Sequence, residues 1–151
     1  MPELDSKDIR ILNLLQENAK MSFAEISKRL DIPESTVRYR VEQLEKKKVI
    51  TGYVALVNPR KIGLPITAIM QVKINPQELR DTSRRLSKFK ELRHLFKTTG
   101  TYDMVSVVNV RDITQLNELM ESVKQIEGIR ELVVDVATEL IKVDPRITLA
   151  D

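Results

Sequence analysis

The apolar positions in the first third of the chain recur at the three- and four-residue spacing of amphipathic helices. We place a first helix from about Asp5 to Asn18, with Ile9, Leu12 and Leu15 on its buried face. Asp5 can cap the start of this helix, and Asp8 stands at the third helical position, where it can return the hydrogen bond. The pattern therefore predicts a capped helix that buries one face.

A second and shorter helix is predicted directly after Ser22. Ser22 and Glu25 have the spacing of a capping box, in which each side chain accepts a hydrogen bond from the other residue's backbone. The buried face of this helix is expected to consist of Ala24, Ile26 and Leu30. Asp31 follows at a position that calls for a left-handed residue, a conformation that Asp tolerates better than most. The chain is thus expected to turn sharply here.

A third helix is predicted to start at Pro33, whose missing N–H costs little in a first helical turn. Val37, Val41 and Leu44 fall on one side and should face the core. The opposite side carries short hydroxyls and long polar side chains, and Arg40 lies on its flank: Ser35, Thr36, Arg38, Tyr39, Glu42 and Gln43. Two short helices joined by a tight turn are typical of a helix-turn-helix DNA reader.

A recognition helix presents its N-terminal residues to base edges and phosphates, so the exposed side of the third helix is the candidate reading surface. Lysines near the ends of the second and third helices would add attraction to the DNA backbone that does not depend on the DNA sequence. The predicted DNA-binding residues are Lys28, Ser35, Thr36, Arg38, Tyr39, Arg40, Lys46 and Lys47.

The alternative is that residues 28–48 form a solvated, charged face of an ordinary helical bundle. Their net charge of +3, from seven basic and four acidic residues, does not decide between the two interpretations. Helix spacing favours DNA binding, and so does the extended run VITGYVALV, which can form the strand after a winged-type reader.

Composition excludes several classes of protein. The 151 residues contain no cysteine, which excludes disulfides, thiol catalysis and cysteine-based zinc sites. The single histidine, His94, excludes a multi-histidine metal site within one chain, and no cofactor is predicted. Apolar runs are too short to span a bilayer and the N-terminus is acidic and polar, so we expect a cytoplasmic protein without membrane association.

The pattern changes after the segment NPRKIGLP at 58–65, where two prolines and a glycine interrupt it. We therefore expect a helix-turn-helix domain at 1–50, a linker strand and connection at 51–65, and a second domain at 66–151. In the second domain, apolar residues alternate from Ile66 to Ile74, which predicts a strand with one buried face.

Four further elements and a final strand complete the second domain. The predicted order is a helix carrying Leu79, Leu86 and Phe89, strands at 93–99 and 104–110, a helix from Asp112 capped by Gly128, and a strand at 129–143. This order is βαββαβ, and right-handed crossovers place both helices on one face of a four-stranded antiparallel sheet. The fold class is α+β: a winged-type helix-turn-helix domain followed by a ferredoxin-like domain.

The other face of that sheet would be open and apolar. We expect it to carry Ile69, Val105, Val107, Val133 and Ile141. An open apolar face on a small domain needs a cover, and a second copy of the chain is the simplest one. Helix-turn-helix readers are usually symmetric dimers, so both domains predict a homodimer that binds double-stranded DNA at a pseudo-palindromic operator.

A set of residues spread over nearly the whole chain occurs in an order and spacing that is specific to one family: Leu4, Asp5, Asp8, Ile11 and Leu12; Glu25 and Ile26; Ser35, Thr36 and Val37; Arg40, Val41, Leu44 and Glu45; Val49, Ile50, Gly52 and Tyr53; and Gly100, Tyr102 and Asp103. By these residues the chain resembles the leucine-responsive and asparagine-responsive regulators, the Lrp/AsnC or feast/famine family. The resemblance implies a DNA-binding transcriptional regulator, dimers that assemble into octamers or similar rings, and an amino-acid effector held between dimers.

By that resemblance the effector site would centre on Gly100, Thr101, Tyr102 and Asp103. A glycine turn lets backbone groups approach a small zwitterion, and Asp103 can face its ammonium group. The alternative is a plain hairpin turn, in which Gly100 takes a positive φ and Asp103 starts the next strand.

The competing functional class is an enzyme, because some siroheme decarboxylases of the haem pathway resemble the same architecture. That chemistry calls for histidines near a cavity, and the chain offers only His94. We therefore favour a regulator that is not an enzyme.

Overall fold

A computed structural model describes residues 4–150, and these divide into two compact units. The helical unit consists of the chain up to Leu56 together with the segment that starts at Lys142. The sheet unit consists of Val57–Ile141. The helical unit is therefore built from both ends of the chain.

The helical unit contains the three predicted helices: α1 (Ser6–Glu17), α2 (Phe23–Leu30) and α3 (Glu34–Lys46). Their buried core residues are Ile11, Leu12, Leu15, Met21, Ile26, Val37, Val41 and Leu44. The predicted stripe of α3 is confirmed, whereas α1 buries Ile11 completely and Ile9 only in part. The expected burial of Ala24 is wrong, because α2 turns Phe23 and Leu30 toward the core and leaves Ala24 exposed.

The two predicted capping boxes differ in completeness. At α1 both hydrogen bonds form: the Asp8 N–H donates to Asp5 Oδ1 at 2.9 Å, and the Asp5 N–H donates to Asp8 Oδ2 at 3.3 Å. At α2 the Glu25 N–H donates to Ser22 Oγ at 3.1 Å, but the Glu25 side chain pairs with Arg29 instead. Asp31 adopts the predicted left-handed conformation with φ of 52°, which ends α2 and starts the turn.

The sheet unit has the predicted βαββαβ order after a short 3-10 helix at Pro59–Ile62. Its elements are β1 (Ile66–Ile74), α4 (Leu79–Leu86), β2 (Leu92–Lys97), β3 (Met104–Val110), α5 (Ile113–Lys124) and β4 (Ile129–Val136). The four strands pair in the order β2-β3-β1-β4, with every neighbouring pair antiparallel. The alternation expected along β1 is confirmed: Ala68, Met70, Val72 and Ile74 are buried.

One predicted strand is missing, and the last predicted strand is shorter than expected. Residues 51–58 form no strand within the described part of the chain. The last strand ends at Val136 and not near Val143, because its partner β1 begins at Ile66 after Pro65. The Ala137 N–H makes the last rung by donating to Thr67 O at 2.9 Å, and beyond it β1 offers no paired backbone. Ile141 consequently lies beyond the sheet.

The prediction that Gly128 caps the helix before β4 is wrong, but the structure requires a glycine at this position for another reason. Helix α5 ends at Lys124 with Gln125 as its cap, and Gly128 lies in the turn that enters β4, with φ of 92°. A Cβ on Gly128 would lie 2.5 Å from Glu78 Cβ and 2.8 Å from Thr82 Oγ1. Glycine is therefore required both by the backbone conformation and by the close approach of the start of α4.

The segment from Lys142 to Ala150, here the C-terminal strap, packs against α1 within the helical unit. Gln16 holds its backbone at two points: Nε2 donates to Ile147 O at 2.9 Å, and the Ile147 N–H donates to Oε1 at 2.7 Å. Asn13 Nδ2 donates to Leu149 O at 3.1 Å, and the Leu149 side chain packs on the helical core. The strap thus belongs to the compact helical unit, although it follows the sheet unit in the chain.

We predict that Gln16→Ala loosens the strap and lowers the free energy of unfolding of the helical unit by about 1 kcal/mol, because two exposed hydrogen bonds are lost. Urea unfolding of the full chain, followed by circular dichroism, measures the effect. Thr148→Ala is the matched control, since Thr148 is an exposed residue of the same strap. Equal unfolding midpoints for the two variants would contradict the bracing role of Gln16.

Candidate DNA-binding surface and effector turn

The exposed side of α3 carries most of the predicted reading residues. The Arg38 side chain is 57% exposed and Tyr39 is 62% exposed. Ser35 is exposed and Thr36 is half-buried. Both residues belong to the first turn of α3, near the positive end of the helix dipole. The structure thus brings four predicted residues together on one short surface.

Two neighbouring side chains, Phe23 and Glu34, contact the guanidinium of Arg38. Its guanidinium carbon lies 5.1 Å above the centroid of the Phe23 ring, and Nη2 lies 3.4 Å from Glu34 Oε1. The cation–π contact joins the first residue of α2 to the reading face of α3 and limits the rotamers of Arg38. Sequence reasoning missed Phe23, because the predicted face of the second helix began with Ala24, whereas the observed face contains Phe23, Ile26 and Leu30.

Arg40 differs from the other predicted contacts, because acids of α1 already bind its guanidinium. Nη1 lies 2.6 Å from Asp5 Oδ2 and 2.8 Å from Asp8 Oδ1, and the side chain is 23% exposed. We call these three residues the Arg40 clamp. It attaches the middle of α3 to the start of α1, so Arg40 has an intramolecular role that the helix angle alone did not indicate.

The clamp changes the pKa values of Asp5 and Arg40. The Asp8 backbone N–H, followed by the Arg40 guanidinium, lowers the pKa of Asp5 below its ordinary value of 3.8. The two carboxylates in turn raise the pKa of Arg40. Asp5 and Arg40 are therefore both charged at neutral pH.

The predicted backbone contacts lie at helix ends. Lys28 is in the last turn of α2, Lys46 ends α3, and Lys47 is its C-cap. All three are exposed, and none is in an ion pair with another described residue.

In the sheet unit, Gly100, Thr101, Tyr102 and Asp103 connect β2 to β3. The expectation that Gly100 takes a positive φ as a hairpin residue is wrong: in residues 4–150 the glycines with positive φ are Gly63 and Gly128. A Cβ at Gly100 would meet no atom within 4 Å, so the space beside this backbone is open.

Asp103 closes this turn onto the end of β1. Its N–H donates to Val72 O at 2.9 Å, its carbonyl accepts from the Thr98 N–H at 2.9 Å, and its Oδ2 accepts from the Ile74 N–H at 2.7 Å. The Tyr102 hydroxyl donates to Glu131 Oε1 at 2.9 Å, and this bond raises the pKa of Tyr102. Sequence reasoning did not find Glu131, because its position beside the turn depends on the pairing of β4 with β1.

The open face of the sheet is apolar at its centre. Val105 and Val107 on β3, Ile69 on β1 and Val133 on β4 are half-buried opposite the helices. On β2, His94 and Phe96 stack with ring centroids 6.0 Å apart, and Phe96 is 54% exposed. His94 therefore lies on the open sheet face beside an aromatic ring.

No group of three or more histidines, cysteines or acids in residues 4–150 is arranged to hold a metal ion. Within the same range, every helix is too short or too polar to cross a membrane.

Family models match both parts of the chain. A winged helix-turn-helix DNA-binding model matches residues 4–51, and an Lrp/AsnC ligand binding domain model matches residues 67–147. The second match covers the whole β1 to β4 sheet and extends into the C-terminal strap.

Archaeal regulators are similar over most of their length. An uncharacterised HTH-type transcriptional regulator of Pyrococcus horikoshii is 40% identical over 141 residues, which cover 93% of this chain and 89% of that one. The HTH-type transcriptional regulator Ptr1 of Methanocaldococcus jannaschii is 39% identical over 117 residues, which cover 78% and 79% of the two chains.

Solved structures share the fold. A transcriptional regulator of Neisseria meningitidis, crystallised as a complex with L-Met, has a TM-score of 0.90 and 25% identity, with 96% of each chain covered. AsnC of Escherichia coli has a TM-score of 0.90 and 23% identity, with 97% of this chain and 99% of that chain covered.

We predict that Asp5→Asn lowers the melting temperature at pH 7 and that the difference from wild type vanishes in acid. Asparagine keeps the helix cap, so the change isolates the charge. Because the pKa of Asp5 is depressed in the folded state, its stabilisation is complete above the unfolded pKa near 3.8 and is lost as pH falls through the lower folded pKa. Thermal unfolding between pH 2 and 7 measures the profile.

Asp31→Asn is the control for that measurement, because Asp31 has no ion pair among the described residues and asparagine tolerates its left-handed backbone. A constant difference between Asp5→Asn and wild type across this pH range would contradict the Arg40 clamp.

Proposed function

The chain belongs to the Lrp/AsnC family of transcriptional regulators, and from this premise we propose how its residues read DNA and respond to an effector. It is a helix-turn-helix DNA-binding regulator. We propose that it acts in the cytoplasm on a specific operator, with α3 in the major groove.

The proposed reading surface is Ser35, Thr36, Arg38 and Tyr39. Its main support is the position of Arg38, an exposed residue of α3 whose guanidinium stacks on the Phe23 ring. A guanidinium in this position can donate two hydrogen bonds to guanine, and the hydroxyls suit phosphates or base edges. Lys28, Lys46 and Lys47 add backbone attraction, whereas Arg40 acts by holding the helix.

We propose that the working form is a homodimer, or a larger assembly of dimers such as an octamer, on a pseudo-palindromic operator. Support comes from the half-buried apolar centre of the open sheet face, which a second copy would cover. Two recognition helices related by a two-fold axis would then meet half-sites about one helical turn, ~34 Å, or a multiple apart.

We also propose that a small amino acid binds beside Gly100, Thr101, Tyr102 and Asp103. The open space next to Gly100 admits a ligand to the backbone. Asp103 uses Oδ2 for the Ile74 N–H, which leaves Oδ1 for an ammonium group. The complex of the similar Neisseria regulator with L-Met makes L-methionine the first ligand to test.

We predict that selection from random DNA enriches a pseudo-palindromic sequence. Arg38→Ala combined with Tyr39→Ala should weaken binding to that sequence by roughly 10- to 100-fold. A specific bidentate contact is worth about 1–3 kcal/mol, which sets this range. Fluorescence anisotropy measures the affinity and sedimentation velocity the assembly, which should not change.

Arg10→Ala is the control for charge, because Arg10 is an exposed residue of α1 that forms no ion pair with another described residue. The proposal fails if no sequence is enriched, and the reading surface fails if the double variant leaves the footprint and the affinity unchanged.

We also predict that Asp103→Asn abolishes binding of the amino acid without lowering the melting temperature of the protein. Asparagine can still accept the Ile74 N–H, so the turn persists while the charge that faces an ammonium is lost. Titration calorimetry with L-methionine and the other amino acids measures binding. Unchanged binding by the variant would remove Asp103 from the site, and a large loss of stability would favour a purely structural role.

A further inference from the structure

The strongest cationic segment of the chain lies in the sheet unit. Residues 80–97 hold seven basic and two acidic residues, a net charge of +5, whereas the whole chain has +3. The helical unit, residues 1–56 and 142–151, has a net charge of +1, and the sheet unit, residues 57–141, has a net charge of +2. Neither unit is strongly basic as a whole, so the charge of residues 80–97 is a local feature of the sheet unit.

The fold gathers part of this charge on the outer face of α4. Thr82 and Leu86 are buried, with 1% exposure each, and they fix which side of the helix faces the core. At about 100° per residue, Arg80 and Arg84 then fall on the opposite side and Arg85 falls on the flank of the helix, and all three are exposed. Lys88 continues this surface in the turn that follows, where its N–H donates to Arg85 O at 3.2 Å.

These cations have few acidic partners. The Arg84–Asp81 pair is 3.7 Å long and both side chains are 63% exposed, so it costs little to break. Among residues 4–150, Arg80, Arg85 and Lys88 are in no ion pair. The basic face, defined as Arg80, Arg84, Arg85 and Lys88, therefore has charge available for an external anion.

We propose that the basic face of α4 is a second DNA-binding surface, which contacts the phosphate backbone outside the bases read by α3. Attraction to phosphates supplies most of the sequence-independent affinity of DNA-binding proteins, and the exposed cations of the basic face can add to the attraction that Lys28, Lys46 and Lys47 supply. Exposed arginines on one helix face suit a run of phosphates, which they bind bidentately without reading sequence. The inference rests on the proposed reading of an operator by α3.

The test is the salt dependence of DNA binding by the full-length protein with Arg80→Gln, Arg84→Gln and Arg85→Gln combined. A random-sequence duplex and the selected operator are both titrated over a range of KCl concentrations. Loss of three phosphate contacts should reduce the slope of log K against log salt by roughly 2.7, about 0.9 per contact. The centre of the footprint should not move, because α3 is unchanged.

The matched control removes the same charge elsewhere in the sheet unit, by Arg111→Gln, Lys124→Gln and Arg130→Gln combined. Its slope should equal that of wild type. Equal slopes for the two triple variants would overturn the inference. A change of oligomeric mass without DNA, with the slope retained, would also overturn it and assign the face to a second copy of the chain. Wild type that binds neither duplex would overturn the proposed function itself.

Discussion

The proposed reading surface of α3 depends on one electrostatic contact, the Arg40 clamp. Helix α3 packs into the helical core through the buried side chains of Val37, Val41 and Leu44. Two carboxylates within 2.8 Å of one guanidinium nitrogen add a charged attachment between the middle of α3 and the start of α1. The same carboxylates complete the capping box of α1, so the group that starts one helix also orients the other.

Helix α1 is in turn held from its other end by the strap. Gln16 and Asn13 bind backbone atoms of residues 147 and 149, and Leu149 fills the edge of the helical core. Because the helical unit ends at Leu56 and resumes at Lys142, two chain segments connect it to the sheet unit. The first and last elements of the chain are therefore parts of one DNA-binding unit.

The sequence predicted best those elements whose pattern is decided locally. The bounds of β1 follow from alternation between Ile66 and Ile74, β3 follows from an apolar run, and the stripe of α3 follows from its period. The end of β4 could not be predicted, because it depends on where the partner strand begins, at Ile66 after Pro65. The contacts of Arg40, Phe23 and Glu131 join residues that lie far apart in the chain, and a periodicity argument does not detect such pairs.

The four residues that we propose to bind the effector, 100–103, also have a structural role. Asp103 binds β1 through its N–H and its Oδ2, and its carbonyl accepts from Thr98, which directly follows β2. A turn held in this way loses less conformational entropy when it binds a small ligand. Tyr102 binds Glu131 of β4, so a ligand that competes for the Tyr102 hydroxyl would release a side chain of that strand.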